Sequence, residues 1–179
     1  MNFPDKKYSA IVADPPWQYR NKNTGGSMKS GSSAKYPTMS LEEICSLPVQ
    51  SICEKDCVLF LWGTTPLADY PMEVMKSWGF RYKSKIYWKK TGRLGLGYWF
   101  RGSVEECLIG THGKISAFRS SMPNIIESKP RDHSQKPEEF FQLIEPAIQN
   151  LNPKIELFAR EKRDGWDSWG NEVKENNKN

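Results

Sequence analysis

The chain has 179 residues, a formal net charge of +5 and four cysteines, a length that fits a single domain able to bury a core without staples. Neither an apolar signal stretch in the opening MNFPDKKYS nor any segment of bilayer-spanning length is present, so no membrane association is expected and the cytoplasm is the expected compartment. Cys45, Cys53, Cys57 and Cys107, with His112 and His133 as the two histidines, match no zinc spacing; they read as buried thiols, and no metal is expected.

In chain order, Tyr8 to Ala13 (YSAIVA) is a nearly continuous apolar run stopped by Asp14 and two prolines, the pattern of a buried strand with an abrupt C-terminal end. Arg20 to Lys35 is rich in Gly, Ser and Lys without an acidic residue and reads as a cationic loop. Ser40 followed by Glu43 is a capping box. Cys57 to Trp62 is the next buried strand, and Leu67, Pro71, Val74, Met75 and Trp78 recur at helical spacing, with Pro71 either beginning or kinking the helix.

Further strands are expected over Arg81 to Trp88, Val104 to Gly110, Asn124 to Glu127 and Lys154 to Arg160. Pro137 suits the first position of a last helix, with Glu138 and Glu139 in its positive first turn. Phe140, Phe141, Ile144, Ile148 and Leu151 form its buried face, and Pro146 should bend its end. Lys174 to Asn179 reads as a disordered tail, leaving residues 1–173 as the domain. The alternation implies an α/β sheet flanked by helices, with ligands outside the carboxyl ends of its strands.

Asp14-Pro15-Pro16-Trp17 stands at such an end. A carboxylate and the Pro15 carbonyl, side by side, can each accept one hydrogen of an exocyclic amine whose lone pair is delocalised into a ring, drawing that nitrogen toward tetrahedral geometry. Two prolines fix the backbone that aims the carbonyl. Trp17 offers a flat face for a base, and stacking of this kind contributes roughly 1–3 kcal/mol. A base in a duplex reaches such a slot only when flipped out. The bland alternative is a proline-terminated strand with a buried Trp.

From these residues the chain resembles the MT-A-seventy-like family of adenine-N6 methyltransferases. The likeness runs from Tyr8 to Glu172 through ADPPW, Tyr36-Pro37-Thr38-Met39, Phe60-Leu61-Trp62, Trp78-Gly79-Phe80, Trp88-Lys89-Lys90-Thr91, Glu106 to Gly110, HSQKPEE from His133, Ile155 to Arg160, and Trp169 to Glu172. The resemblance implies a Rossmann-like, S-adenosylmethionine-dependent methyltransferase fold in the permuted (beta-class) motif order, with a central, mostly parallel sheet. It assigns catalysis to Asp14, Pro15, Pro16 and Trp17, and cofactor contacts to Asp14, Lys136, Phe158, Arg160, Asn171 and Glu172. The chain departs from larger members in carrying Ser134-Gln135-Lys136-Pro137 where they often have Ser-His-Lys-Pro, and Glu172 where they have Gln.

Strand alternation adds a reading of its own: Glu156, Phe158 and Arg160 fall on one face, types suited to ribose hydroxyls, a purine and a carboxylate. The positive charge favours a polyanion, and Arg20, Lys22, Lys35, Lys89 and Arg101, with Tyr36, are the expected nucleic-acid contacts. The compact form looks like bacterial and phage members, which implies DNA ahead of RNA as substrate and a bacterial or phage-infected cell as setting. A homodimer or a partner subunit is conceivable by analogy with the larger enzymes. Methylation of RNA and a catalytically inactive nucleic-acid-binding scaffold are the alternatives.

Overall fold

The computed structural model describes residues 2–18, 37–92, 99–118, 121–131 and 135–171. Seven strands, β1 (Tyr8–Ala13), β2 (Cys53–Gly63), β3 (Arg81–Lys90), β4 (Val104–His112), β5 (Ile125–Ser128), β6 (Lys154–Leu157) and β7 (Asp167–Trp169), form one sheet in the order β5-β3-β4-β2-β1-β6-β7. β1 pairs in parallel with β2 and β6, β6 with β7, and β3 with β5, whereas β4 runs antiparallel to both β2 and β3. The expected α/β sheet is therefore present, and one reversed strand makes it mixed.

Alternation along the central strands divides the core in two, as side chains of period two require. Ile11, Ala13, Leu59, Leu61, Ile155 and Leu157 pack on one face against Ile44 of α1 (Leu41–Cys45) and Val74, Met75 and Trp78 around α2 (Tyr70–Ser77). Ala10, Val12, Val58, Phe60, Trp62 and Trp88 pack on the other against Phe140, Phe141 and Ile144 of α3 (Glu138–Ile144). Trp62, Trp78, Tyr8, Phe60 and Phe140 are the largest fully buried side chains, so aromatic bulk supplies much of the core. Two glycines let α2 approach: a Cβ on Gly63 would meet Pro71 Cγ at 2.5 Å, and one on Gly110 would meet Met75 Sδ at 2.8 Å.

The capping box forms as expected, with Glu43 N–H donating to Ser40 Oγ at 3.2 Å and Ser40 N–H to Glu43 Oε2 at 2.7 Å. Pro71 begins α2 and does not kink it. Pro137 is the N-cap of α3, one position before the expected place, and the helix stops at Ile144 ahead of Pro146, although Ile148 is still buried. Cys57 and Cys107 are buried, Cys45 and Cys53 half-buried, and all four are free.

The main departure is at β6. The strand ends at Leu157, three residues before the expected Arg160, because Phe158 takes a left-handed φ of 61°. A side chain in that region ends ladder pairing, so the alternation expected through Phe158 and Arg160 does not hold.

Candidate active site

β1 delivers Asp14 to the carboxyl end of the sheet beside β2 and β6. Two backbone bonds shape the turn: Trp17 N–H donates to the Pro15 carbonyl at 2.8 Å and Met39 N–H to the Pro16 carbonyl at 2.9 Å. The Pro15 oxygen keeps a second lone pair for another donor. Trp17 is 6% exposed and its indole N–H donates to the Trp62 carbonyl at 3.2 Å. The ring expected to offer a base an open face instead anchors the motif to the end of β2.

Lys136, placed just before α3, reaches Asp14. Its Nζ lies 3.0 Å from Asp14 Oδ1 and 3.1 Å from Glu105 Oε2, with the Trp62 ring centroid at 5.2 Å. Glu105 also binds Lys90, so a chain of alternating charge runs Asp14, Lys136, Glu105, Lys90. Burial pushes the Asp14 carboxyl up; Lys136 opposes the rise and Glu105 adds to it, leaving it above the usual range. Burial acts upward on Glu105 too, but Lys136 and Lys90 outweigh it and hold that carboxyl low. The Lys136 ammonium stays charged because Asp14 and Glu105 outweigh the effect of its burial.

The sequence reading missed Glu105 and expected Lys89 only as a nucleic-acid contact. Trp88 and Lys90 share the side of β3 that faces α3, while Lys89 points the other way and pairs with Glu127 at 3.1 Å. Alternation from a buried Trp88 was the signal that could have found Lys90; Glu105 is the direct cross-strand partner of Trp88.

The crevice beside Asp14 is lined by Gln135, Lys136, Phe141, Glu156, Phe158, Arg160 and Glu161. Lys136, Phe158 and Arg160 thus gather at Asp14 as expected, through a tight turn after β6 and not through strand alternation. Phe158 packs on Trp169, with ring centroids 5.4 Å apart. Asn171 follows Gly170, whose Cα lies so close to Ala159 that an added Cβ would meet its carbonyl oxygen at 2.6 Å. Arg131, Glu138, Glu161 and Arg163 tie the walls together: Arg163 holds Glu138 with bonds of 2.6 and 2.9 Å, and Arg131 reaches Glu161 at 3.5 Å. Arg101 is exposed, as are Trp99 and Phe100 beside it. Arg20, Lys22, Lys35, Tyr36 and Glu172 lie outside the described residues.

A larger cleft of about 950 Å³ opens at the other end of β1 and β2, between residues 2–7 and the Leu47-Pro48 turn. It shares no lining residue with the Asp14 crevice, and the carboxyl-end rule for α/β sheets favours the latter as the reacting site.

The donor set fits an S-adenosylmethionine-type cofactor. One crevice holds two aromatic rings, a guanidinium and three carboxylates, and Glu156 Oε2 is a buried oxygen with no hydrogen-bond partner among the described residues.

Comparison with known proteins agrees. The chain is 35% identical over 97% of its length to the type II methyltransferase M.MunI of a Mycoplasma species, of which it covers 81%. It is 31% identical over 93% of its length to a putative N(6)-adenosine-methyltransferase MT-A70-like protein of Medicago truncatula, and 32% over 94% to the N(6)-adenine-specific methyltransferase METTL4 of Mus musculus. It spans 26% and 38% of those two longer proteins. The MT-A70 family pattern matches residues 8–172, and the chain belongs to this family of S-adenosylmethionine-dependent adenine-N6 methyltransferases.

Proposed function

We propose that the protein methylates the N6 amine of adenine in DNA, with Asp14 and the Pro15 carbonyl as the amine acceptors. The observation that carries this is the half-buried Asp14 carboxylate held at 3.0 Å by Lys136 at the end of β1. Bound S-adenosylmethionine supplies an electrophilic methyl group; Phe158, Arg160, Lys136 and Asn171 would hold it.

Lys136 and the two acceptors do complementary work. Two acceptors on one amine draw its hydrogens aside and turn the lone pair out of the ring plane, so the nitrogen becomes nucleophilic. Lys136 favours the ionised form of Asp14 where burial favours the neutral acid, and an ionised carboxylate is an acceptor only. Glu105 in turn fixes the Lys136 ammonium, which makes it a positioning residue. After transfer the amine carries a proton acidic enough to pass to Asp14 or to water.

The enclosed space beside Asp14 is about 30 Å³, room for a water or two. The choice of DNA rests on the 35% identity to the type II methyltransferase M.MunI, together with the net charge of +5.

Labelled S-adenosylmethionine incubated with matched single- and double-stranded DNA and RNA, followed by digestion to nucleosides, tests the reading. Label in N6-methyldeoxyadenosine is the expected result. Label confined to RNA overturns the substrate, and cofactor binding without labelling of either overturns the enzyme in favour of a scaffold.

A further inference from the structure

Glu156 is a half-buried carboxylate, with one oxygen fully shut from solvent, that the mechanism above does not use. It lies on β6 opposite Val12 of β1 and so on the α3 face, the same face from which Asp14 emerges two residues further along. It lines the crevice with Asp14, Phe158 and Arg160, and its Oε2 is shut from solvent without a hydrogen-bond donor among the described residues. A buried acceptor left unpaired is costly, more so when charged, and a second carboxylate alongside Asp14 raises that cost.

The neighbouring cations are engaged elsewhere, save the Arg163 Nε–H, a buried donor with no acceptor among the described residues. Arg163, the cation that most favours ionised Glu156, spends its two terminal nitrogens on Glu138 and stacks on Phe141 at 3.6 Å. Lys136 is shared between Asp14 and Glu105. Asp14, Glu161 and Glu138 add negative potential, so burial pushes the Glu156 carboxyl up to about 7 despite Arg163. Arg160 faces the same crevice and suits a carboxylate. A hydroxyl donor could fill the empty lone pair but could not neutralise the charge. A ligand ammonium does both.

We propose that Glu156 is the acceptor for the ammonium of the cofactor's amino-acid moiety, and that this contact requires Glu156 to be ionised. The inference rests on the methyltransferase reading. It moves Glu156 from the ribose, for which its residue type alone suggested it, to the charged end of the ligand. Cofactor binding near neutral pH then releases a proton from Glu156, and affinity falls as the medium is acidified.

The test is the Kd of S-adenosylmethionine from pH 5.5 to 7.5, by calorimetry in buffers of different ionisation enthalpy, for the full chain and for Glu156→Gln. The wild-type Kd should weaken about 20-fold on going from pH 7.5 to 5.5, as linkage to a group titrating near 7 requires, with proton release at pH 7. Glu156→Gln should bind more weakly at pH 7.5, release no proton and lose most of the pH dependence. 5′-Methylthioadenosine, which keeps the ribose and lacks the amino-acid part, should bind both proteins alike at every pH. If it shows the same pH dependence, Glu156 serves the ribose and the proposal falls. A flat wild-type Kd, or a Glu156→Gln variant that melts lower yet binds as the wild type does, also overturns it, the latter assigning the carboxylate to Arg163. Absence of cofactor binding at every pH overturns the methyltransferase reading itself.

Discussion

Asp14 and Glu156 bring two carboxylates to one face of neighbouring parallel strands, since Glu156 pairs with Val12 and Asp14 lies two residues beyond it. Burial raises both groups; Asp14 adds to the rise of Glu156, whereas Glu105 is the carboxylate that adds to the rise of Asp14. Stability is given up there for a site that a cation can fill.

That cost is measurable through pH. Glu156 titrates near 4.5 in the unfolded chain and at about 7 in the folded one. Between those values the folded state binds more protons, so this group's contribution to stability declines as pH rises from 4.5 to 7 and is flat above. Glu156→Gln removes the penalty. Urea unfolding should find the variant more stable than wild type by about 2 to 3 kcal/mol at pH 8, with no advantage at pH 4.5.

Lys136→Met leaves Asp14 and Glu105 facing each other without the cation that bridges them at 3.0 and 3.1 Å. Breaking a pair at this depth should lower unfolding free energy by about 2–4 kcal/mol and reduce methyl transfer by about a hundredfold or more. Adding Asp14→Asn should restore part of the stability in urea melts and none of the activity, because the neutral amide offers a weaker acceptor to the amine.

Trp17→Phe tests the ring as an anchor. The variant loses the hydrogen bond to the Trp62 carbonyl and part of a buried ring, a combined loss of about 1–2 kcal/mol in equilibrium unfolding. Unchanged stability would return the ring to the stacking role expected from its sequence position.

Gly170→Ala would bring a Cβ within 2.6 and 2.8 Å of the Ala159 carbonyl oxygen and nitrogen. Backbone cannot yield as a flexible side-chain tip does, so the end of β7 must move away from the turn carrying Phe158 and Arg160. Cofactor affinity should fall about tenfold or more, as expected when supporting contacts are displaced. Gly165→Ala is the control: its φ of 78° carries strain but no atom lies in the way, so a loss of about 1 kcal/mol with unchanged Kd is expected.

Local signals were legible in the sequence wherever near neighbours decide the outcome. The capping box at Ser40, the proline-stopped β1, the two faces of the central strands and the cluster Asp14, Lys136, Phe158 and Arg160 were all readable, the last through family motifs. Spacing gave the wrong route for that cluster, because nothing in Phe158 itself announces a left-handed φ.

What the sequence by itself determined is six of the seven strands, all but β7, and the double-sided core, which follow from periodicity and backbone restriction within a few positions. Tertiary structure alone decided that β4 runs against its neighbours, that Lys90 and not Lys89 joins Glu105, that Trp17 is buried, and that Glu156 stands without a donor beside Asp14. Each of these depends on which distant strand lies alongside and in what register, and charges and hydrogen bonds act over a few ångströms in space whatever the distance along the chain.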